Sequence, residues 1–339
     1  MMKPKRLLIT GGAGFIGSNF TKYIFGKHRD VEITVLDKLT YAGNPANLKE
    51  LEGSARYKFI HGDICDEKVV EGAVRGCDCI INFAAETHVD RSIGDPASFI
   101  KTDIYGTYVL LEATRALGIP RFIQISTDEV YGNAGDEPSS EASPLMPQSP
   151  YAASKAGADR LAYSYFVTYG TPVVITRCSN NYGPNQYPEK MVSLFVTNAM
   201  DDKPLPVYGT GKNTRDWIYV LDHARALETV MTTDGLEGEV FNIGSGVEIG
   251  VLEMADLILK ALGKPQSLIR MVKDRPGHVL RHAVGTDKIR SRLGWKCEVD
   301  FERGLAMTVE WYLKNRQWWE PIKSGEFLEY YRRMYSEIA

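Results

Sequence analysis

The feature that most constrains this chain is the octapeptide at residues 10–17, Thr-Gly-Gly-Ala-Gly-Phe-Ile-Gly. Its glycines at 11, 14 and 17 lie between an apolar run, residues 5–10, and a stretch of helical spacing, residues 15–28. Gly11 permits a tight turn, Gly14 lets a pyrophosphate approach the backbone, and Gly17 lets the helix pack closely on the strand. The helix N-terminus then faces the phosphates. Glycine spacing alone also describes an ordinary turn, so its context decides. A β-branched apolar run, residues 31–37, ends in Asp37, 20 residues past Gly17. A carboxylate there accepts hydrogen bonds from a ribose diol and repels a 2′-phosphate, so NAD is expected rather than NADP. Asp63 and Ile64 follow the third strand, where the acid either holds an adenine edge or caps a helix.

Short apolar runs at 57–61, 79–85, 121–126 and 172–177 alternate with helical patterns at 67–75, 96–117 and 152–169. This rhythm implies right-handed βαβ crossovers and an α/β fold of Rossmann type, a doubly wound parallel sheet. Beyond residue 180, prolines and glycines cluster. Helical patterns at 188–200, 221–231, 252–262 and 301–315 sit among short strands. A smaller C-terminal α/β lobe is expected. Residues 1–180 would carry the NAD site and the catalytic groups, and residues 181–339 would mainly bind substrate, with some chain returning to the first domain. The polar segment 132–150 reads as a loop at the mouth of a cleft.

Composition narrows the function classes. Forty Lys and Arg against 43 Asp and Glu give a net charge of −3 over 339 residues. Nothing in that balance selects nucleic acid or an anionic membrane. No apolar run approaches the ~18 residues of a membrane span, and the N-terminal apolar stretch is too short for a secretory signal. The five cysteines form an odd set without a CxxC pair. That excludes a disulfide scaffold and argues against a metal site. A cytoplasmic chain with reduced thiols is expected.

Tyr151 and Lys155 stand four residues apart at the start of a helix, after Ser149-Pro150. Residues at i and i+4 share a face. A cation beside a phenol, together with a positively charged nicotinamide, favours the phenolate and lowers its pKa. Tyr151 then becomes a base for an alcohol proton as hydride leaves the same carbon.

These features resemble the extended short-chain dehydrogenase/reductase superfamily and, within it, the nucleotide-sugar 4,6-dehydratases. The stretches that carry the resemblance run nearly the whole chain: TGGAGFIGSN (10–19), LDKLTYAGN (36–44), AAETHVDRSI (84–93), STDEVYG (126–132), SPYAASKA (149–156), CSNNYGPNQYPEK (178–190), RDWIYVLDHARA (215–226) and DRPGH (274–278). The resemblance implies NAD contacts at Gly11, Gly14, Phe15, Ile16, Gly17, Asp37, Lys38, Leu39, Thr40, Asp63, Ile64, Phe83, Ala84, Ala85, Thr102, Tyr151, Lys155 and Asn181. It implies sugar-nucleotide contacts at Thr87, Thr127, Asn180, Lys190, Met191, Pro206, Val207, Tyr208, Arg215, Asn242, Asp274, Arg275 and His278.

The reaction type rests on Thr127-Asp128-Glu129. Once C4 is a ketone, the C5 proton is acidic; a base must take it, and an acid must protonate the departing C6 hydroxyl. The resemblance makes Asp128 that acid, Glu129 that base, and Thr127 a donor to O4. Adjacent residues on an extended chain point opposite ways, so a bend is needed to aim both carboxylates inward. Related epimerases lack the Asp-Glu pair, and related decarboxylases usually keep only the Glu. The implied reaction is a redox-neutral 4,6-dehydration with dTDP-glucose as preferred nucleoside-diphosphate glucose. UDP-glucose dehydration, epimerisation or decarboxylation, and a non-catalytic NAD-binding regulator are the alternatives. A homodimer is also implied, with 96–117 and 152–169 pairing across a two-fold axis; Ile104, Tyr108, Leu111, Ala158, Leu161 and Tyr165 are candidate contacts. Gly285 stands where relatives often carry Asp. Cys178 reads as a buried, inert thiol.

Overall fold

The computed structural model describes residues 3–335. Met1 and Met2, at the head of the segment read for a leader, and residues 336–339, at the end of the expected second domain, lie outside it. The first half runs β1 (Arg6–Thr10), α1 (Phe15–Lys27), β2 (Glu32–Asp37), β3 (Tyr57–His61), α2 (Glu67–Val74), β4 (Cys79–Asn82), α3 (Val89–Gly94), α4 (Pro96–Phe99), α5 (Thr107–Leu117), β5 (Phe122–Thr127), α6 (Pro150–Tyr169) and β6 (Val173–Cys178). The second half runs β7 (Asn180–Tyr182), α7 (Met191–Met200), β8 (Leu205–Tyr208), β9 (Thr214–Tyr219), α8 (Val220–Thr232), β10 (Val240–Ile243), β11 (Glu248–Gly250), α9 (Val251–Leu262), β12 (Ile269–Val272), β13 (Arg281–His282), α10 (Asp287–Leu293), α11 (Phe301–Lys314), α12 (Arg316–Trp319) and α13 (Glu326–Met334).

A seven-stranded sheet in the order β10-β6-β5-β4-β1-β2-β3 organises the molecule. All its pairings are parallel. Parallel strands buried on both faces need continuous apolar sequence, which is why these runs do not alternate. Leu7 and Ile9 point to one face, with Phe20 and Ile24 of α1 and Leu227 and Val230 of α8. Leu8 points to the other, with Val70 of α2, Leu110 of α5 and Ala162 of α6. Each such apolar side chain contributes roughly 1.5–3 kcal/mol when fully buried. The switch point lies between β1 and β4, where the strand order reverses, and a ligand cleft is expected at the carboxyl ends there. The second half builds a smaller layer, β11-β9-β13 with β7 on β9, and a β12-β8 pair.

Three sequence expectations change. The strand read at 79–85 ends at Asn82, whose amide donates to Gln124 at 2.9 Å, and residues 83–85 leave the sheet to line the cleft. The single helix read at 96–117 is broken: between α4 and α5, residues Ile100–Gly106 form a π-helix. Such a segment carries one residue more per turn and rotates the side chains beyond it. Finally, Leu111, Ala158 and Tyr165 of the candidate dimer contacts are buried toward the sheet. The exposed apolar residues on this side are Ile100, Tyr105, Tyr108, Leu117, Tyr163, Val167 and Tyr169.

Candidate active site

A cavity opens at the switch point. The turn before α1 explains its shape. Gly11 has φ +66°, and a Cβ on Gly17 would sit 2.4 Å from the Gly11 carbonyl oxygen. Only glycines allow this fold-back, and α1 begins without a side-chain cap, so its first N–H groups are left for a ligand. The cavity is lined by Gly11, Gly14, Phe15, Ile16, Gly17, Asp37, Lys38, Thr40, Asp63, Ile64, Phe83, Ala84, Ala85, Thr102 and Asn181. Asp37 accepts from the backbone N–H of Ala13 at 2.9 Å and of Leu39 at 2.8 Å. Leu39 itself, at φ +54°, is off the wall and serves through that N–H. Asp63 pairs with Lys38 at 2.8 Å. Burial pushes the Asp63 carboxyl up, but the Lys38 contact outweighs it and holds the acid below its ordinary range.

The same cavity continues over Thr127, Asp128, Glu129, Tyr151 and Lys155. Ser149 caps α6 by accepting from Ala152 N–H at 3.1 Å, and Pro150 occupies the first turn. That start places Tyr151 and Lys155 on one face. The Lys155 ammonium donates to the Ile125 carbonyl at 2.7 Å. Burial lowers the Lys155 pKa, and the charge of Asp103 opposes this. The expected lowering at Tyr151 is not what this environment produces. Burial first, and the charge of Glu129 second, push the phenol well above its ordinary value. A cationic ring bound beside it is the further charge that would favour the phenolate.

The bend required after β5 is a 3₁₀ turn, Asp128–Tyr131. Thr127 Oγ1 accepts from Glu129 N–H at 3.3 Å and donates to Asp128 Oδ1 at 3.2 Å. Both carboxylates therefore reach one cavity. Asp128 is 3% exposed, and its Oδ2 has no partner. Burial, then the charges of Glu129 and Asp216, push its carboxyl well above the usual range. The turn is braced from beneath. Arg177 donates to Tyr131 Oη at 2.7 Å and to Asp159 at 2.8 and 3.0 Å. Tyr131 in turn donates to Asn242 Oδ1 at 2.8 Å.

A second cleft adjoins, lined by Tyr41, Glu86, Asp90, Arg91, Tyr208, Asp274, Arg275 and Tyr335 among others. Arg275 and Tyr208 both donate to Asp90, each at 3.0 Å, and Arg275 Nε is buried without a partner. At the border of the two cavities, Lys190 donates to Thr87 Oγ1 at 3.0 Å, and Asn180 Oδ1 is buried and unpartnered. Buried polar atoms left open beside a cavity are available to hydrogen-bond a ligand or an ordered water there.

The family model described as GDP-mannose 4,6 dehydratase matches residues 8–308. The chain belongs to that family. It is similar to the dTDP-glucose 4,6-dehydratase of Streptomyces niveus, 51% identical over 95% of this chain and 96% of that one. The solved dTDP-glucose 4,6-dehydratase of Streptomyces venezuelae, crystallised with NAD, superposes with TM-score 0.91 at 49% identity, covering 94% of this chain and 100% of that one. The UDP-glucose 4-epimerase of Thermus thermophilus shares the fold at TM-score 0.84 and 31% identity, over 91% and 99% of the two chains. Fold alone does not separate dehydration from epimerisation; the 128–129 pair bears on that choice.

Within this dehydratase-family frame, some expected substrate residues lie elsewhere. Asn242 is fully buried off both cavities: besides the Tyr131 contact, its amide donates to Ser139 and Gly285 carbonyls at 2.9 and 3.2 Å. Its side chain braces the 3₁₀ turn that carries Asp128 and Glu129, and each of its amide atoms has a partner within the chain. Pro206 and Val207 are buried in β8, and Met191 starts α7; none lines either wall. Arg215 donates to the carbonyls of Thr214 and Val279 at 2.7 and 2.9 Å, and burial brings its pKa down to about 10. His278 pairs with Asp274 at 2.6 Å behind Tyr208. Sequence reasoning missed Tyr41, Asp90, Arg91, Glu189 and Tyr335. Asp90, Arg91 and Glu189 lay inside quoted motifs but had no spacing signal of their own. Cys178 is buried, and burial pushes its thiol up to about 12, which fits an inert group.

Proposed function

We propose that this chain is a dTDP-glucose 4,6-dehydratase: it uses NAD and converts dTDP-glucose to dTDP-4-keto-6-deoxyglucose and water. The observation that carries the reading is the pair at the end of β5, a buried Asp128 whose pKa is pushed up by burial and by the charge of Glu129, in one cavity with Glu129, Tyr151 and Lys155. The glycine cradle, the uncapped α1 N-terminus and Asp37 fit a dinucleotide. When bound, NAD accepts hydride from C4 and returns it to C6. Tyr151 takes the O4 proton, with Lys155 supplying positive charge nearby and Thr127 a hydrogen bond to O4. Glu129 then removes the C5 proton, and Asp128 passes its proton to the C6 hydroxyl, which departs as water; as hydride returns to C6 of the resulting 5,6-ene, Glu129 gives the proton back to C5, and the proton held by Tyr151 makes good the one Asp128 gave. Incubation with dTDP-glucose and with UDP-glucose, each followed by mass detection, tests this. Loss of one water from dTDP-glucose is expected; inversion at C4 without water loss would make the chain an epimerase.

In the same reading, residues 1–180 hold NAD and chemistry, and residues 181–339 mainly hold the sugar nucleotide. The five free cysteines suit a reducing cytoplasm. Among the described residues, no helix is long and apolar enough to cross a membrane.

Asp37 should exclude NADP. Its carboxylate is buried, so a 2′-phosphate would meet like charge in a poorly screened site. Titration of the apo protein is expected to give an affinity for NAD at least about tenfold above that for NADP, a margin of ~1.4 kcal/mol. Equal affinities would remove Asp37 from this role.

The partner is a second copy. A shallow apolar groove runs over Ile100, Ile104, Tyr105, Tyr108 and Leu161, and Tyr163 and Val167 are also exposed on α6. An apolar face of this kind fits an isologous two-fold contact. Light scattering at micromolar concentration should give twice the chain mass, and Tyr105→Glu with Val167→Glu should give a monomer. A monomeric parent would count against this face as an interface.

A further inference from the structure

The π-helix between α4 and α5 sends one carboxylate inward that the mechanism has not used. Asp103 is 1% exposed. Its Oδ1 accepts from the backbone N–H of Glu86, in the segment after β4, at 2.9 Å. Its Oδ2 accepts from Ser154 Oγ at 2.5 Å, and Ser154 lies between Tyr151 and Lys155 on α6. The Tyr151 carbonyl lies 2.8 Å from the same hydroxyl, as the alternative acceptor for its one proton. One buried side chain thus joins three elements that wall the active site. Thr102, its neighbour on the π-helix, lines the cavity directly.

We propose, on the dehydratase reading above, that Asp103 is a positioning residue for C4 oxidation: its carboxylate fixes the start of α6 and supplies the counter-charge that keeps Lys155 an ammonium beside Tyr151. Lys155 sets the requirement. It is buried, and its one hydrogen-bond acceptor is a neutral carbonyl, Ile125. A buried ammonium with only a neutral partner tends to lose its proton. The groups facing it are Asp103 from the π-helix, Asp159 from its own helix and Cys178 from β6. Asp159 is already committed to Arg177, and the Cys178 thiol stays protonated. Asp103 is the remaining anion. No direct ion pair joins it to Lys155; the interaction acts through space, where low dielectric strengthens it. Around Asp103 itself stand Lys155, Ser154 and Glu86, and burial raises its carboxyl to about 6, leaving it ionised at neutral pH. Around Tyr151 stand Glu129, Cys178, Asp103 and Thr127.

Asp103→Asn keeps the shape and removes the charge. In the pH profile of kcat, the alkaline limb should move down by about one pH unit, because Lys155 then loses its proton earlier. KM for the sugar nucleotide should stay within about twofold, since the variant touches no substrate contact. A profile that superimposes on the parent's after scaling would make Asp103 merely structural and overturn the proposal. A thermal cycle reads the same coupling without activity. Midpoints of the parent, Asp103→Asn, Lys155→Met and the double variant are compared at pH 8. Asp103→Asn should destabilise more with Lys155 present than in the Lys155→Met background; equal effects in both would again overturn it. If the parent neither reduces NAD nor releases water from the sugar, the functional reading fails, and the thermal cycle alone decides whether the two charges are coupled.

Discussion

Asp128→Asn and Glu129→Gln are expected to oxidise C4 and then stall before water is lost, whereas Tyr151→Phe is expected to stop before oxidation. The order of steps dictates this. Tyr151 must take the O4 proton as hydride leaves; the carboxylates have nothing to act on until the ketone exists. Removing a positioned acid or base costs roughly 10²-fold or more. Single-turnover absorbance at 340 nm reads the first step, and mass detection reads water loss. The carboxylate variants should show the first signal without the second, and Tyr151→Phe should show neither. The environment of Asp128 adds a sign. Its pKa is raised by burial first and by the charge of Glu129 second, so Asp128 keeps its proton to higher pH than an exposed carboxyl does. Parent-rate dehydration by both carboxylate variants would reduce the pair to an acidic turn.

Asp159→Ala should cost about 3–5 kcal/mol of stability, because it leaves the Arg177 guanidinium buried and unpaired. Both groups are almost wholly out of solvent, and two hydrogen bonds join them. The pH dependence follows. Burial pushes the Asp159 carboxyl up, but Arg177 outweighs it and sets the folded-state pKa below the unfolded one. The stabilisation is therefore present above the unfolded value of about 4 and disappears as pH falls through the lower folded value. Arg177 also donates to Tyr131, so the 3₁₀ turn carrying Asp128 and Glu129 should lose its support. Denaturant melts at pH 7 and at stepped pH values below 4 measure this; a loss under about 1 kcal/mol at pH 7 would show that the site collapses or hydrates without penalty. Asp159→Leu combined with Arg177→Met should recover much of the loss, since an apolar pair of similar volume often matches a buried ion pair.

The sheet and the glycine loop were legible because their signals are local. A buried parallel strand writes itself as a short apolar run, and the loop as glycines at fixed offsets. Tyr151 and Lys155 were legible for the same reason: four residues on one helix. Residues that meet through tertiary structure left no such trace. Arg91 is stacked on Tyr41, with its guanidinium 3.5 Å from the ring centroid, and on Tyr330 at 4.3 Å, which draws on three distant parts of the chain. The π-helix at 100–106 differs from an α-helix by one residue per turn, a difference that hydrophobic spacing over seven residues does not record. Asn242 shows the opposite failure. Its motif position was readable, but its job is set by Tyr131, Ser139 and Gly285, none of them near it in sequence. The place of Tyr151 on α6 was readable from spacing; the burial that raises its pKa was not, because spacing says nothing about burial.

The late arrival of β10 matters while the chain is being made. The first six strands of the large sheet are complete at Cys178, but the free side of β6 is paired only when Val240–Ile243 appears, some sixty residues afterwards. Until then VVITRC is an open, apolar, β-branched edge of the kind that recruits other chains. Synthesis at about 5–20 residues per second leaves that edge bare for several seconds. A nascent chain halted between residues 180 and 240 would be a hazard to its neighbours, and chaperone capture should peak in that window.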